Sequence, residues 1–274
     1  MRVIIFTKAF GAIGATELAD NLAGLGADGA DLVVRDGQVV TPAEPRGIGS
    51  VATALERDGL RLEVVTTDLL DGDATAERIV AACAEAGVPL IRAGFYRYHP
   101  DQGYDRCLDS ARRGLDSLAR LAADHGVRLA LQLHHGTIHP SAAHARKLVG
   151  DLDVCFYADP GNQAHEGSEN WRLSLDILGD RLACMGVKNA AWRRGPNGWE
   201  CGWVPLADGI VAWPEIIAGL HERGYPGPLS LHIHYPTADL LAALREDLAE
   251  LRGLLAGQRP HERPRVEVTS ERAH

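Results

Sequence analysis

The sequence lacks the cysteine pattern of disulfide-rich and structural-zinc proteins. Five of its 274 residues are cysteines, an odd number, and no two of them form a CxxC pair. Cysteines scattered in this way indicate neither a disulfide framework nor a structural zinc cluster, and they are typical of a reducing compartment. The five are Cys83, Cys107, Cys155, Cys184 and Cys201.

Long apolar runs and an excess of basic residues are also missing. No stretch approaches the roughly 20 apolar residues that a membrane-spanning helix needs. The apolar run within MRVIIFTKAF, at the start, is too short for the core of a signal peptide. The 28 lysines and arginines are outnumbered by 37 aspartates and glutamates, which gives a net charge of −9. Such a surface repels the phosphate backbone of nucleic acids. We therefore expect a cytoplasmic protein that binds neither membranes nor nucleic acids.

The sequence does contain a regular alternation of short apolar runs and longer amphipathic stretches. Eight runs are only a few residues long and rich in Val, Ile or Leu, which is typical of strands buried on both faces. They are Val3–Thr7, Asp31–Arg35, Leu62–Thr66, Leu90–Gly94, Val127–His134, Val154–Ala158, Leu182–Lys188 and Leu229–His234. Between them, apolar residues recur at helical spacing. The clearest helical stretches are Thr75–Ala86, Asp105–His125, Trp213–Arg223 and Thr237–Leu255.

Eight strand–helix units predict a single (β/α)8 TIM barrel, an α/β fold with an eight-stranded parallel sheet. An open doubly wound sheet is less consistent, because no glycine-rich phosphate turn follows a strand. We expect the barrel to span residues 1–256. Residues 257–274 have no apolar period and are predicted to form a disordered tail. In such barrels the active site lies at the C-terminal ends of the strands.

Several segments resemble the sugar phosphate isomerase/epimerase family, whose fold is the xylose-isomerase-like barrel. The most specific is Trp203–His232, which is similar to a W-V-P-L-G-x-G-x-x-x-W element followed by a helix and the strand element G-Y-x-G-P-L-S-L-E. Gly126–Thr137 resembles the fifth-strand element G-V-x-L-A-L-E-N-H. Asp153–Asn162 resembles the sixth strand with its D-P-G-N turn, and Met185–Ala190 resembles the seventh-strand H-V-K-D. The resemblance covers nearly the whole barrel.

The resemblance implies an isomerase or epimerase with one divalent metal, usually Mn or Mg, at the mouths of strands five to eight. In the family the ligands are Glu, Asp, His and Glu, and the two glutamates move the proton while the metal stabilises an enediolate. The matching positions here are Gln132, Asp159, Gly186 and His232, of which only Asp159 is unchanged. The two-glutamate mechanism therefore does not transfer to this chain.

Two interpretations of the predicted site remain open. In the first, Gln132, His134, Asp159 and His232 form a remade site for one divalent metal, which could be Mn, Mg, Fe or Co. In the second there is no metal, and histidines carry out acid/base chemistry because an imidazole titrates near neutral pH. The family's Glu replaced by Gln, together with its His replaced by Gly, favours the second interpretation.

Four residues are the predicted catalytic groups. His232 takes the place of a strand-end carboxylate of the family, and His134 is expected to face the pocket in preference to His135, since neighbouring residues on a strand point oppositely. Asp159 would orient a histidine or hold a metal, and the alternative is that it only shapes the Asp-Pro-Gly turn. Lys188 would neutralise an enolate or a phosphate, and the alternative is an ion pair with Asp159.

Further residues at the strand ends are expected to bind substrate. His234 lies two residues after His232 and should share its face. Aromatic and basic residues follow strand four. Tryptophans and arginines follow strand seven in a loop that we predict to act as a lid, with packing anchors as the alternative. The predicted substrate-binding residues are Gln132, Arg97, Tyr96, His234 and Trp192.

These residues predict an isomerase- or epimerase-type enzyme that transfers a proton on a small polyhydroxylated or hydroxy-carbonyl substrate. One alternative is a lyase, cyclase or dehydratase of a specialised biosynthetic pathway, because one barrel supports many reactions. Another is a pseudoenzyme that binds a ligand without turnover. The expected partner is a small molecule, and the sequence is also compatible with a homo-oligomer.

Overall fold

The computed structural model describes residues 1–167 and 169–257, and eight parallel strands in them close into a barrel. Around the barrel the first seven strands follow one another in sequence order, and the last barrel strand closes the sheet between the seventh and the first. This confirms the predicted TIM barrel. The barrel strands are β1 (Val3–Phe6), β2 (Gly29–Val33), β3 (Arg61–Thr66), β4 (Leu90–Arg92), β5 (Arg128–Gln132), β6 (Cys155–Ala158), β7 (Leu182–Val187) and β10 (Leu229–Leu231).

The helices between the strands bury one apolar face each against the outside of the barrel. In α4, for example, Leu115, Leu118 and Ala122 recur at helical spacing and are buried, while charged residues occupy the opposite face. The helices are α1 (Ala15–Leu25), α2 (Gly47–Arg57), α3 (Ala74–Glu85), α4 (Tyr104–Asp124), α5 (Ala142–Val149), α6 (Pro160–His165), α7 (Trp171–Leu178), α8 (Trp213–Glu222) and α9 (Leu240–Leu255). The four predicted helical stretches are confirmed, to within three residues at each end.

The core has two layers, because each barrel strand is buried on both faces. A large apolar cluster fills the space between the strands and the helices. A smaller cluster fills the barrel interior and consists of Ile4, Val64, Leu90, Ala130, Tyr157, Ala183 and Cys184. Burial on both faces explains why the strand segments read as continuous apolar runs.

Several strand boundaries differ by two or three residues from the sequence prediction, among them both ends of the second strand and the C-terminal ends of the fourth, fifth and last strands. The second strand begins at Gly29, where β2 and β3 approach so closely that a Cβ would lie 2.2 Å from the carbonyl oxygen of Arg61. The fifth strand ends at Gln132 and the last at Leu231, two and three residues before the predicted ends at His134 and His234. The histidines at these strand ends therefore lie in turns, where strand alternation no longer fixes their direction.

The predicted lid loop after the seventh strand is a β-hairpin instead. Its strands are β8 (Asn189–Gly195) and β9 (Gly198–Val204), which pair antiparallel with Trp192 opposite Cys201. A long polar segment between a strand and a helix indicated a loop. In the hairpin, each aromatic residue instead lies opposite a non-aromatic residue of the other strand, in the pairs Trp192–Cys201, Ala190–Trp203 and Arg194–Trp199.

Two further expectations concern the C-terminal tail and membrane-spanning helices. The predicted disordered tail, residues 257–274, lies outside the described residues except for Gly257. Within residues 1–167 and 169–257, no helix has both the length and the apolar character that crossing a bilayer requires.

Candidate active site

The barrel interior changes from apolar to polar toward the C-terminal ends of the strands. Residues two apart on a strand point to the same side of the sheet. The residues two positions after the interior residues Val64, Leu90, Ala130 and Tyr157 are Thr66, Arg92, Gln132 and Asp159, all of them buried and polar. The period of two therefore builds a polar mouth directly above an apolar core.

One group of buried residues at the mouth surrounds Asp159; the Asp159 cluster consists of Arg92, Gln132, Asp159, Asn162 and Lys188. The Nε2 of Gln132 donates to the Oδ2 of Asp159 at 2.7 Å, and the Arg92 guanidinium donates to the Oε1 of Gln132. The ammonium of Lys188 lies 3.2 Å from the same Oδ2 and donates to the Oδ1 of Asn162 at 2.8 Å. Asp159 therefore contacts the ammonium of Lys188 directly, and the amide of Gln132 links it to the guanidinium of Arg92.

The local sequence fixes the direction of Asp159. It is the N-cap of α6, and its Oδ1 accepts from the backbone N–H of Asn162 at 2.9 Å. Pro160 occupies the first turn, where the missing N–H costs no helical hydrogen bond. One carboxylate oxygen thus caps the helix and the other faces Gln132 and Lys188. Asp159 therefore shapes the turn at the start of α6 and also pairs with Lys188, so both of the alternatives considered from the sequence occur.

A second group surrounds Asp31; the Asp31 cluster consists of Asp31, Thr66, Tyr157, Ser230 and His232. The carboxylate of Asp31 accepts from the hydroxyls of Thr66 at 2.7 Å, Tyr157 at 2.8 Å and Ser230 at 2.9 Å. The Nε2 of His232 lies 2.9 Å from the Tyr157 hydroxyl oxygen and 3.2 Å from that of Ser230. The carboxylate that supports His232 is therefore Asp31, and Asp159 makes no hydrogen bond to a histidine among the described residues.

These contacts assign the tautomer of His232. Tyr157 and Ser230 each have one hydroxyl proton, and each donates it to Asp31. Their oxygens can then only accept from His232, so its Nε2 carries the proton. The Nδ1 of His232 keeps its lone pair, and this atom is buried with no hydrogen-bond partner in the described structure. An unpartnered buried nitrogen of this kind has a free energy cost and is available to a ligand.

A row of stacked rings continues from His134 across the mouth. The ring of His134 packs on Phe95 at 3.9 Å and on His135 at 4.5 Å, and His135 packs on His165 at 4.2 Å, between centroids. The expectation that His134 and His135 point oppositely is therefore wrong, because β5 ends before them. Burial, together with the charge of Lys188, lowers the pKa of His134 to about 2.

The same row reaches the last strand through Trp203. This indole lies 5.5 Å from His165 and 5.8 Å from His234, and the ammonium of Lys188 lies 4.3 Å from the centre of its ring. His232 stacks on Phe6 at 4.0 Å, and His234 lies 5.6 Å from His232. Burial lowers the pKa of His234 to about 2 and that of His232 well below its ordinary value, and the charge of Lys188 adds to both shifts. Both histidines are therefore neutral at neutral pH.

The charged groups of the Asp159 cluster are shifted by the same burial. Burial raises the pKa of Asp159 and lowers that of Lys188, and the charge of each partner opposes the shift of the other. Burial lowers the pKa of Arg92 to about 10, which still leaves it charged at neutral pH. The cluster therefore places the Lys188–Asp159 ion pair and the guanidinium of Arg92 below the ring row.

The predicted substrate-binding residues are divided between the mouth and other locations. Gln132 and His234 lie at the mouth. Tyr96 is buried and donates its hydroxyl to the carbonyl oxygen of Leu70 at 2.8 Å, beneath the loop that follows β3. Arg97 is exposed in the loop after β4. Trp192 donates its indole N–H to the carbonyl oxygen of Ala164 at 2.9 Å, which anchors the hairpin on α6.

Sequence reasoning missed His139, which contacts the end of one strand and the loop after its neighbour at the mouth. Its Nδ1 contacts the carbonyl oxygen of Gln132 at 2.9 Å, and its Nε2 accepts from the backbone N–H of Tyr96 at 3.2 Å. The two partners fix the Nδ1–H tautomer. Complete burial lowers the pKa of His139 to about 4. His139 is therefore a neutral bridge between the end of β5 and the loop that follows β4.

Arg92, Asp31, Tyr157 and Ser230 were also missed, although the sequence contains a signal for the two charged residues. Arg92 stands within the apolar run LIRAG, and Asp31 within GADLVV. Charged residues are almost never fully buried unless they are paired. A charge inside a run predicted to be buried on both faces therefore indicates a buried polar network.

The residues predicted as metal ligands do not fit a divalent metal. Among the described residues, no group of three or more His, Cys, Asp or Glu side chains is placed to hold an ion. The guanidinium of Arg92 contacts Gln132, and the ammonium of Lys188 is 3.2 Å from Asp159. A divalent cation at these ligands would lie beside two fixed positive charges in a medium of low dielectric constant, which is strongly unfavourable.

Gly186 stands where the resemblance implies a histidine ligand, and its surroundings leave no room for one. A Cβ at this position would lie 3.0 Å from the Cε1 of Tyr157 and 3.1 Å from the Oδ2 of Asp159. Both contacts are tighter than ordinary van der Waals contact. An imidazole at this position would therefore require Tyr157 or Asp159 to move.

Comparisons with known proteins agree with the fold. A family model described as a xylose isomerase-like TIM barrel matches residues 19–254. A xylose isomerase-like TIM barrel protein from Mycobacterium smegmatis, solved in complex with magnesium, has a TM-score of 0.71 and 19% identity, and the match covers 94% of this chain and 98% of that chain. No curated protein matches the sequence.

Two further solved structures are similar in fold. The 3-keto-D-glucoside 4-epimerase from E. coli has a TM-score of 0.71 and 19% identity, over 92% of this chain and 99% of that chain. The probable 3-DHS dehydratase of petrobactin synthesis from Bacillus anthracis has a TM-score of 0.73 and 17% identity, over 93% of this chain and 98% of that chain. At such identities the likeness shows the fold alone.

Proposed function

Because the chain belongs to the xylose isomerase-like TIM barrel family, we propose that it is an isomerase- or epimerase-type enzyme acting on a small hydroxy-carbonyl compound. The reaction would remove a proton from the carbon beside the carbonyl group and return it to the same or the neighbouring carbon. The epimerase of similar fold supports this reaction class, and the polar mouth at the C-terminal strand ends supports the location.

The observation that carries the proposal is the unpartnered Nδ1 of His232. This atom is buried, and its lone pair is left free because Nε2 carries the proton. A general base must hold a lone pair within reach of the proton that it removes. In the proposed reaction the Nδ1 of His232 takes the proton from carbon and later returns it.

The Asp31 cluster would stabilise the charge that this step creates. When His232 gains a proton at Nδ1, its Nε2–H becomes a stronger donor to Tyr157 and Ser230. Both hydroxyls in turn donate to Asp31, at 2.8 Å and 2.9 Å. A preorganised carboxylate behind a histidine, reached through hydroxyls, holds its tautomer and favours its protonated form. Asp31, Tyr157 and Ser230 are therefore proposed as positioning residues.

Lys188 would stabilise negative charge on a substrate oxygen, and His134 would transfer a proton between substrate oxygens. Removing a proton beside a carbonyl places negative charge on the carbonyl oxygen, and a positioned ammonium stabilises that charge. The Nδ1 of His134 donates to the carbonyl oxygen of His135 at 2.7 Å, so its Nε2 has the free lone pair. We propose that the Nε2 of His134 takes the proton of the hydroxyl beside the carbonyl and delivers it to the other oxygen of the enediolate, so that no proton is gained or lost overall. Every step uses side chains of this chain.

The test is exchange of substrate hydrogen with solvent deuterium. The protein would be incubated with a panel of small hydroxy-ketones, hydroxy-aldehydes and their acids in D2O, and proton NMR would follow loss of the C–H signal beside the carbonyl. We expect exchange with at least one compound and a loss of about 10²- to 10⁴-fold in the His232→Gln variant, the usual contribution of a general base. The exposed His221 on α8 supplies a matched control, His221→Gln, which should exchange at the wild-type rate.

The same spectra separate the alternatives. A dehydratase would produce an alkene or enol signal with loss of a hydroxyl group, and the dehydratase of similar fold keeps this alternative in view. Full activity in His232→Gln would contradict the assignment of the base. No exchange and no product with any compound that binds would contradict an enzymatic role.

A further inference from the structure

A second cavity lies at the opposite end of the barrel from the candidate active site. Its volume is about 760 Å³, which is within the range of small-molecule sites. Its lining includes the first residues of four parallel barrel strands, Arg61, Leu90, Arg128 and Leu182, and these mark the N-terminal end of the barrel. Leu90 also belongs to the apolar cluster that fills the barrel interior. That cluster therefore separates the cavity from the polar mouth.

Two irregularities of the barrel sheet contribute to this cavity. The pairing of β3 with β2 passes over Glu63, and the pairing of β7 with β6 passes over Ala183. Each is the extra residue of a β-bulge, and both line the cavity. A β-bulge changes the direction of a side chain locally and is a built feature of a fold. Two separate departures from regular pairing therefore shape the same cavity.

Glu63 orients two arginines at the edge of the cavity. Its side chain is only 7% exposed, and its Oε1 lies 2.8 Å from the Nε of Arg2 and 3.6 Å from the Nε of Arg61. Its other carboxylate oxygen accepts from Arg2 at 3.3 Å. A guanidinium has five N–H donors, so both arginines keep donors for a ligand. The buried carboxylate therefore positions two guanidiniums that are themselves open to solvent.

Arg128 reaches the same cavity from β5. Only β4 separates β5 from β3, a distance of about 10 Å that extended arginine side chains can span. Arg128 is exposed and contacts the thiol of Cys155, and it forms no ion pair with any described residue. Arg223 also lines the cavity, but it pairs with Asp176. Arg128 therefore supplies a positive charge that no carboxylate of the described structure neutralises by direct contact.

The lining of the cavity has the opposite charge balance from the whole chain. The chain has a net charge of −9, whereas the lining contains four arginines and two carboxylates, those of Glu63 and Asp180. When Arg223 is set against Asp176, three arginines still remain against two carboxylates. A concave site lined by an excess of one charge attracts ligands of the other sign. The cavity is therefore suited to anions.

One wall of the cavity is apolar and preformed. It comes from the segment before β10, in which Tyr225 donates its hydroxyl to the carbonyl oxygen of Pro228 at 3.0 Å. A Cβ on Gly227 would lie 2.3 Å from that hydroxyl oxygen and 2.6 Å from the carbonyl oxygen of Ala183, so only glycine allows this close packing. The prolines at 226 and 228 fix φ. A ligand therefore binds this wall at little cost in ordering the protein.

We propose that this cavity binds a small organic anion with an apolar body. Its carboxylate or phosphate group would contact the guanidiniums of Arg61 and Arg128, and its body would pack on the wall that contains Tyr225. Guanidinium contacts to carboxylate or phosphate oxygens are among the stronger hydrogen bonds in proteins, and apolar walls with a few polar groups are typical of small-molecule sites. The site is separate from the mouth and does not depend on the proposed function.

The test uses two fluorescent probes that share an apolar body and differ in charge. Anilinonaphthalene sulfonate carries one negative charge, and N-phenyl-naphthylamine carries none. Fluorescence titration at low salt should show that the sulfonate binds at least about tenfold tighter than the neutral compound. Benzoate and phenyl phosphate would then be used to displace the sulfonate, and the stronger competitor identifies the anionic group. Equal or tighter binding of the neutral probe, or displacement by neither competitor, would overturn the proposal.

A pair of variants assigns the binding to this cavity. Arg61→Gln combined with Arg128→Gln should weaken binding of the sulfonate by about tenfold or more, because both proposed anion contacts are lost. Both side chains are exposed, so the fold should remain intact, which urea unfolding checks. Arg106→Gln combined with Arg113→Gln, at exposed positions of α4 outside the lining, changes the net charge equally and should bind like wild type.

The comparison of the two pairs decides the outcome. Unchanged affinity in the Arg61 and Arg128 pair would overturn the proposal, since the probe would then bind elsewhere. An equal loss in both pairs would also overturn it, because it would reflect net charge and not a site. Neither pair alters the mouth, so deuterium exchange on the proposed substrates is a separate measurement with its own outcome.

Discussion

Asp31 and Asp159 are both completely buried at one barrel mouth, yet their charges are compensated differently. Asp31 accepts from three hydroxyls, and no cation makes a salt bridge to it in the described structure. Asp159 has the ammonium of Lys188 at 3.2 Å. Burial raises the pKa of both carboxyls. Hydroxyls transmit the charge of a carboxylate to His232, whereas an ion pair cancels it locally and fixes Lys188 in place.

The largest expected effect comes from removing the cation on the Asp159 side. Lys188→Met leaves the carboxylate of Asp159 buried without its counter-ion, which typically costs about 3–5 kcal/mol in the free energy of unfolding. Combining it with Asp159→Asn should recover most of that loss. Urea unfolding at pH 7.5 measures both. If the single and double variants were equally unstable, packing of the lysine stem, and not the charge, would be its main contribution.

On the Asp31 side the expected loss is smaller, because hydrogen bonds replace the ion pair. Asp31→Asn leaves one carbonyl oxygen for three hydroxyl donors, and we expect a loss of about 2–3 kcal/mol. The same change at Asp159 keeps the N-cap but leaves the buried ammonium of Lys188 without its counter-ion, so it should cost more, about 3–5 kcal/mol. Thermal and urea unfolding of the two variants would test this order. The reverse order would show that the ammonium of Lys188 does not need the carboxylate of Asp159.

The buried, neutral His139 makes the stability of the fold depend on pH. His139 has its pKa lowered to about 4 in the folded protein. Below about pH 6.5 this histidine binds a proton in the unfolded chain but not in the folded protein. The free energy of unfolding therefore decreases as the pH falls from about 6.5 toward 4. Between pH 7 and pH 5 this amounts to roughly 2 kcal/mol for one buried histidine.

Unfolding of His139→Asn at the two pH values tests that sign. The variant should lose about 2 kcal/mol less than wild type between pH 7 and pH 5, although it is less stable at pH 7. His221→Asn, at an exposed site, should leave the pH dependence as in wild type. An unchanged slope in His139→Asn would mean that this histidine takes up its proton at the same pH in the folded and the unfolded protein.

The smallest expected effect acts on both clusters at once. Gly186→Ala places a Cβ 3.0 Å from Tyr157 and 3.1 Å from Asp159, so one of them must shift by a few tenths of an ångström. We expect a loss of about 1 kcal/mol, the lower end for overpacking. Gly24→Ala on α1 has no atom within 4 Å and should stabilise the helix by roughly 0.5–1 kcal/mol. A stabilised Gly186→Ala would show that the space between the clusters is loose.

Much of the fold could be predicted from the sequence because burial on both faces produces a local signal. Each barrel strand reads as a short apolar run, and eight of them alternate with helical periods. The strand ends in turn located Gln132, Asp159, Lys188 and His232 at the mouth. The β8–β9 hairpin could not be predicted in this way, since half of its residues are exposed and β8 carries no apolar alternation.

The partners within the mouth are set by the closure of the barrel and not by local sequence. Tyr157 and Ser230 bond to Asp31 across 126 and 199 residues of chain. No spacing rule links positions so far apart. The direction of His134 and His135 depended on where β5 ends, and strand ends are the least certain part of a sequence prediction.

Tyr157 belongs to two structures at once. Its ring is part of the apolar cluster that fills the barrel interior, and its hydroxyl joins Asp31 to His232. Selection on the packing of the core and selection on the reactivity of the mouth therefore act on the same side chain. A change of substrate can evolve through substitutions in the loops. Replacing Tyr157 to improve the packing of the core would also change the environment of His232.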